Sequence, residues 1–101
     1  MNDMTTNTIA KVTLRAADAS GVSVDDLVSL KKHRKISETR YIVYHYLHKE
    51  LKMPTSIIGR YFNQTKRNVW RGIQLLGEWT ALYSDVSKRY DTIIENIRGG
   101  C

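Results

Sequence analysis

Arg67, Arg71 and Gln74 recur at i, i+4 and i+7, a spacing that lines side chains along one face of a helix. Arginine and glutamine bond in pairs to the edges of purine bases, so such a face suits the reading of a duplex in its major groove. Lys66 and Asn68 beside them, together with the N–H groups of a first helical turn, suit phosphate. Thr65 stands where an N-cap belongs, its hydroxyl accepting from an N–H two or three residues on. Val69, Ile73, Leu76 and Leu82, with Trp79 or Thr80 between them, form a separate apolar stripe that predicts a core-facing side for a helix over 66–82. On this helix alone, an ordinary amphipathic element with a solvated basic face fits equally well.

The surrounding chain favours the reading of a nucleic acid. Ile57-Ile58-Gly59-Arg60-Tyr61-Phe62 is a short apolar helix, and Asn63-Gln64-Thr65 is a polar break before the basic helix, which together predict a helix-turn-helix. Upstream, Lys31-Lys32-His33-Arg34-Lys35 packs four permanent cations into five residues and predicts a basic loop, 31–35, that reaches backbone phosphates or the adjacent minor groove. From residue 31 to 72 there are 11 Lys or Arg, Arg40 among them, against Glu38 and Glu50, a net +9, while the remainder of the chain is −3. A chain basic in its middle and acidic at both ends presents one positive region to a polyanion.

The rest of the chain predicts the elements that hold this face. Residues 1–7 are polar and without periodicity, and read as a loose tail; residues 8–98 read as one helical domain and 99–101 as a second tail. Ile9, Val12, Ala16 and Ala19 mark the inner face of a first helix that Gly21 ends. Ser23-Val24-Asp25-Asp26 opens a short helix with Leu27, Val28 and Leu30 apolar. Asp25 and Asp26 complement that helix's dipole better than they make a metal or catalytic pair. Ser37 is the expected cap of a helix running to about Leu51, with Ile42, Val43, Tyr46, Leu47 and Leu51 on one side and Tyr41, Tyr44, His45 and His48 on the other. His45 and His48 have no further ligand at metal spacing and read as part of an aromatic face. Pro54 precedes the next helix, and Ser84-Asp85 starts a last one with Val86, Tyr90, Ile93 or Ile94, and Ile97 inward. The expected fold is all-α, a five- to six-helix orthogonal bundle.

No nucleophile with its base, no metal cluster and no phosphate-cradling loop is visible in the sequence, so an enzyme, a cofactor and a small-molecule substrate are not expected. No apolar run approaches a membrane span or a signal peptide's centre, and the lone cysteine, Cys101, allows no internal disulfide; a cytoplasmic location, on the nucleoid when DNA-bound, is expected.

Several of these landmarks resemble the C-terminal DNA-binding domain of DnaA, the bacterial replication initiator. They are Val24-Asp25-Asp26-Leu27, the basic run after it, Tyr46-Leu47 with Lys49-Glu50-Leu51, Ile58-Gly59-Arg60-Tyr61-Phe62-Asn63, and Val69 with Gly72. The resemblance covers roughly residues 8–97 in the same helix order. It implies close approach of the two motif helices at Gly59 and Gly72, and minor-groove contact from Arg34. Where the family carries Arg-Asp-His-Thr-Thr, this chain has Gln64-Thr65-Lys66-Arg67-Asn68, so the scaffold matches and the reading run differs. The family's loop for ATP is absent, which implies a stand-alone module that regulates replication or transcription. The leading expectation is a double-stranded DNA-binding module. The alternative is a protein-interaction module on the same scaffold, with Tyr41, Tyr44, Trp70 or Trp79 as its surface. Both tryptophans read as core residues on composition alone.

Overall fold

Each helix of this protein is started or stopped by a local chemical device. The structure, a computed structural model, describes residues 3–29 and 33–99, with side chains from residue 5. Helix α1 (Asp3–Ser20) ends at Gly21, whose φ of +76° is the left-handed conformation glycine adopts without strain. Ser23 Oγ then accepts from the Asp26 N–H at 3.1 Å and opens α2 (Val24–Val28). Helix α3 (Arg34–His45) continues into a π-helical turn (Tyr46–Glu50) closed by the Leu51 N–H on the Tyr46 carbonyl. Helix α4 (Thr55–Phe62) stops at Asn63, which is left-handed at φ 56° and ψ 44°. Thr65 Oγ1 accepts from the Asn68 N–H at 3.1 Å and starts α5 (Lys66–Leu82). Helix α6 (Ser84–Gly99) follows after Tyr83 alone.

All elements among the described residues are helical, as expected, and there are six α-helices. The anticipated stripes meet in one core: Ile9, Val12 and Ala16 of α1, Val69, Ile73 and Leu76 of α5, and Val86, Ile93, Ile94 and Ile97 of α6 close around Ile42, Val43 and Leu47. A smaller cluster of Ala17, Val22, Leu27 and Ile36 fixes α2 against α1 and α3. Helix α5 touches α3, α4 and α6, so the face it leaves to solvent is held from three sides.

The structure revises the sequence reading at several positions. Residues 3–7 belong to α1 rather than to a loose tail. Helix α3 begins at Arg34, so Arg34 and Lys35 are helical and Ser37 is no cap; its N–H donates to the His33 carbonyl at 2.9 Å and the residue is buried. Leu82 is exposed, because six residues past Leu76 is two-thirds of a turn out of the core's phase. Leu51 is exposed because the π-helical turn unwinds beside it and Lys52 turns left-handed at φ 56°. The aromatic face of α3 divides: Tyr44 is buried edge-on to Phe62, with 5.2 Å between ring centroids. His45 and His48 part company, His45 Nδ1 lying 2.8 Å from the Tyr90 hydroxyl and His48 Nδ1 lying 2.9 Å from the Met53 carbonyl. Leu30, Lys31, Lys32 and Cys101 lie outside the described residues.

Candidate functional site

The turn before α5 is built by close approach. Gln64 N–H donates to the Gly59 carbonyl at 2.7 Å, and a Cβ on Gly59 would stand 2.4 Å from the Gln64 carbonyl oxygen. The absent side chain therefore sets how tightly α4 folds back toward α5. Gly72 meets α3: a Cβ there would stand 2.6 Å from Tyr41 Cδ1. The two glycines thus seat α5 against the turn on one side and against α3 on the other.

That seating leaves Thr65, Lys66, Arg67, Asn68, Arg71 and Gln74 exposed. Arg67, Arg71 and Gln74 share the outward face, as their spacing requires. Between α5 and α3 runs a groove of about 770 Å³, lined on the α5 side by Asn68, Arg71, Leu75 and Trp79, on the α3 side by Arg34, Ser37, Arg40, Tyr41 and Tyr44, and at one end by Gln64. Arg34 lies with its guanidinium carbon 5.0 Å from the centre of the Trp79 ring and 5.7 Å from that of Tyr83, a cation–π arrangement that holds the side chain without engaging its N–H groups in a salt bridge among the described residues. Arg34 and Arg71 are thereby brought to one groove from two helices.

Two other candidates are engaged differently. Arg40 is 7 % exposed, and its Nε donates to the Leu27 carbonyl at 2.8 Å while Nη2 donates to Asp26 and Ser29 carbonyls at 3.2 and 2.8 Å. It satisfies the last carbonyls of α2, a structural duty, so it is not the exposed cation the sequence reading expected, although it also lines the wall of the groove. Lys35 lines a separate 270 Å³ pocket with Ser20, Glu38, Lys88 and Arg89, away from α5. Adjacent helical residues diverge by about 100°, which is why Arg34 and Lys35 serve different sides. Lys31 and Lys32 fall outside the described residues.

The described arginines divide cleanly. Arg15 donates to the Ile97 carbonyl, Arg40 caps α2, Arg89 grips Glu38 and Asp85, and Arg98 pairs with Glu50. Arg34, Arg60, Arg67 and Arg71 bond to no protein acceptor and pair with no acid among the described residues. All four uncommitted guanidiniums lie on α4, α5 or the start of α3.

Trp70, expected in the core, is 42 % exposed. His48 meets it edge-on at 5.7 Å and Lys49 Nζ lies 5.6 Å from its centre, so it flanks the outward face of α5 on the side away from the groove. Trp79 and Tyr41 are partly buried against each other, 5.6 Å apart. Of the four aromatic residues considered as a partner surface, Trp70 alone is exposed.

Sequence reasoning missed the contribution of Ser37, Tyr41 and Tyr44 to the groove. Their spacing from Arg34, at i, i+3, i+7 and i+10, is one helical face, and it was readable once the helix start moved back to Arg34. No group of three or more metal-ligating side chains occurs among the described residues, and none of their helices is long and apolar enough to cross a membrane. No protein-family model matches the chain, and no curated protein matches it.

Proposed function

We propose that this protein is a double-stranded DNA-binding module in which α4 and α5 act as a helix-turn-helix. Helix α5 enters the major groove with Arg67, Arg71 and Gln74 toward base edges. Lys66 and the first turn of α5 meet phosphates, and Arg34 reaches the neighbouring backbone or minor groove. The observation that carries this reading is the partition of the arginines: those flanking α5 are uncovered and uncommitted, whereas those elsewhere are engaged. The sequence resemblance to the DnaA C-terminal domain supports the same assignment and suggests a regulator of replication or transcription. The chain's own residues at 64–68 suggest a binding site different from the initiator's.

Fluorescence anisotropy with duplex fragments at several salt concentrations tests the proposal. If about six phosphates are neutralised, log affinity falls with log salt at a slope near −5, from roughly −0.9 per contact. Arg67→Ala or Arg71→Ala costs about 1–3 kcal/mol and relaxes sequence preference. Absent or salt-independent binding refutes it.

One observation favours a second reading, a protein-interaction module. Exposed Trp70, held by His48 and Lys49, has the character of an aromatic anchor. Trp70→Ala separates the two: a loss of duplex affinity puts Trp70 on DNA, and an unchanged affinity with loss of a captured partner puts it on protein.

A further inference from the structure

We infer that the groove between α3 and α5 is a binding site for a phosphate ester of nucleotide size. Its volume of about 770 Å³ lies inside the roughly 300–1,000 Å³ of small-molecule sites. No carboxylate lines it, while Arg34, Arg40 and Arg71 do, so the charges facing it are cationic.

The floor is the distinguishing feature. Ser37 is 8 % exposed and Tyr44 is 2 % exposed, and both line the groove. Neither hydroxyl bonds to any protein group among the described residues, yet no buried side-chain nitrogen or oxygen is left without a partner there. The two hydroxyls therefore keep an opening, and the groove they line is where it leads. Burial raises the Tyr44 pKa well above the ordinary phenol value, so its O–H remains a donor at any physiological pH.

Above this floor, Asn68 Nδ2 donates to Gln64 Oε1 at 3.1 Å, leaving the Gln64 amide nitrogen for another acceptor. Arg34, over the Trp79 ring, and Arg71 on α5 both line the groove, and neither guanidinium is paired with an acid among the described residues. Two guanidiniums, two hydroxyls and an amide exceed what a carboxylate's two oxygens need and suit a phosphate's three or more. Leu75 with the rings of Tyr41 and Trp79 supplies apolar wall for the attached sugar and base.

The phosphate ester has two sources, the backbone of a bound strand or a free nucleotide. The site shares Arg34 and Arg71 with the duplex contacts proposed above, but its floor of Ser37 and Tyr44 takes no part in that reading, so variants of the floor test the groove separately. Titration of the ¹⁵N-labelled full chain with thymidine 5′-monophosphate, and separately with thymidine, is followed by NMR at the Arg34, Arg71 and Arg67 Nε–H groups and the Ser37 and Gly72 amides. Saturable shifts confined to groove residues, with Arg67 unmoved and thymidine inert, are expected. Tyr44→Phe and Ser37→Ala, each removing one oxygen, should weaken the nucleotide about tenfold, the loss of a hydrogen bond to a charged group; their melting curves verify folding. If the backbone is the source, a duplex displaces the nucleotide and both variants also weaken the duplex. If a free nucleotide is the source, both variants weaken the nucleotide and leave duplex affinity unchanged. Shifts spread equally over Arg67, or affinities for nucleotide and duplex alike unchanged in both variants, overturn the inference. Failure of Arg67→Ala to affect the duplex, with these groove effects intact, would defeat the DNA reading alone.

Discussion

Three glycines inside α4 and α5 make opposite demands, and substituting alanine at each tests whether the architecture around α5 is understood. A Cβ on Gly59 would meet the Gln64 carbonyl oxygen at 2.4 Å, and one on Gly72 would meet Tyr41 Cδ1 at 2.6 Å; one on Gly77 would meet nothing within 4 Å. Helix propensity alone favours alanine over glycine by roughly 0.5–1 kcal/mol at each position. At Gly77 nothing opposes that gain, so Gly77→Ala should stabilise by the same roughly 0.5–1 kcal/mol and raise the Tm by a few degrees.

At Gly59 the obstacle is backbone. The Gln64 carbonyl belongs to a turn pinned by the 2.7 Å bond from its own N–H to the Gly59 carbonyl and by left-handed Asn63. Relief requires the turn to open, and overpacking of this kind costs about 1–3 kcal/mol or more. Set against the propensity gain, Gly59→Ala should lose about 2 kcal/mol, a fall in Tm on the order of 10 °C for a domain of this size. Gly72→Ala belongs between the two, since a ring moves more readily than backbone, though Tyr41 moves only by disturbing its contact with Trp79. Thermal and urea unfolding followed by circular dichroism give the order directly. A Gly59→Ala protein as stable as the parent, or a destabilised Gly77→Ala, would refute the reasoning.

Replacing Arg40 by Ala strands the three carbonyls that close α2; with about 1.5–3 kcal/mol per hydrogen bond to a charged group and incomplete additivity, a loss of about 3 kcal/mol is expected. Chemical denaturation reads the loss, and a variant as stable as the parent would refute this structural duty of Arg40. His45 titrates below its ordinary 6.5, chiefly because burial disfavours its charged form. The unfolded chain then binds the proton more tightly, so this contribution to stability is complete above about pH 6.5 and is lost as pH falls through that value. Urea midpoints at about pH 7.5 and 5.5 should diverge less in His45→Gln than in the parent, and equal divergence would assign the effect to other groups. Arg89→Met leaves the Glu38 carboxylate, whose side chain is 5 % exposed, without its cation. About 2 kcal/mol is expected, below the 3–5 kcal/mol of a fully buried pair because the Arg89 side chain is 46 % exposed, and chemical denaturation reads it.

The order of the helices and several of their caps were legible because those signals are local, whereas the expected cap at Ser37 was not one. Thr65, Ser23 and Gly21 each do what residue type and position demand. The division of labour among cations was harder, since a guanidinium capping carbonyls and one facing water are the same letter. Even so, Arg40 falls in phase with Ile36, Val43 and Leu47, the inner stripe of α3, and phase alone marks it as inward once α3 is started at Arg34. The fates of Trp70 and Trp79 depend on which helix lies across α5, a tertiary fact with no local signature. Gly72 likewise required knowing that Tyr41 comes from α3.

Leaving cations uncommitted has an energetic consequence that bears on function. Within about 8 Å, the screening distance at physiological salt, like charges repel and weaken a fold. This chain holds acids close to its other arginines: Glu38 and Asp85 at Arg89, and Glu50 at Arg98. It therefore has the means to neutralise guanidiniums internally, yet α5 carries no acid before Glu78, and no acid pairs with Arg34, Arg67 or Arg71. Trp79 fastens Arg34 without reducing its charge. A solvated face with no further role gains nothing from such an arrangement, whereas a face that meets an anion recovers the repulsion on binding. On the DNA reading proposed above, the neutral fastening of Arg34 is the feature that would set a positioned contact apart from a merely basic surface.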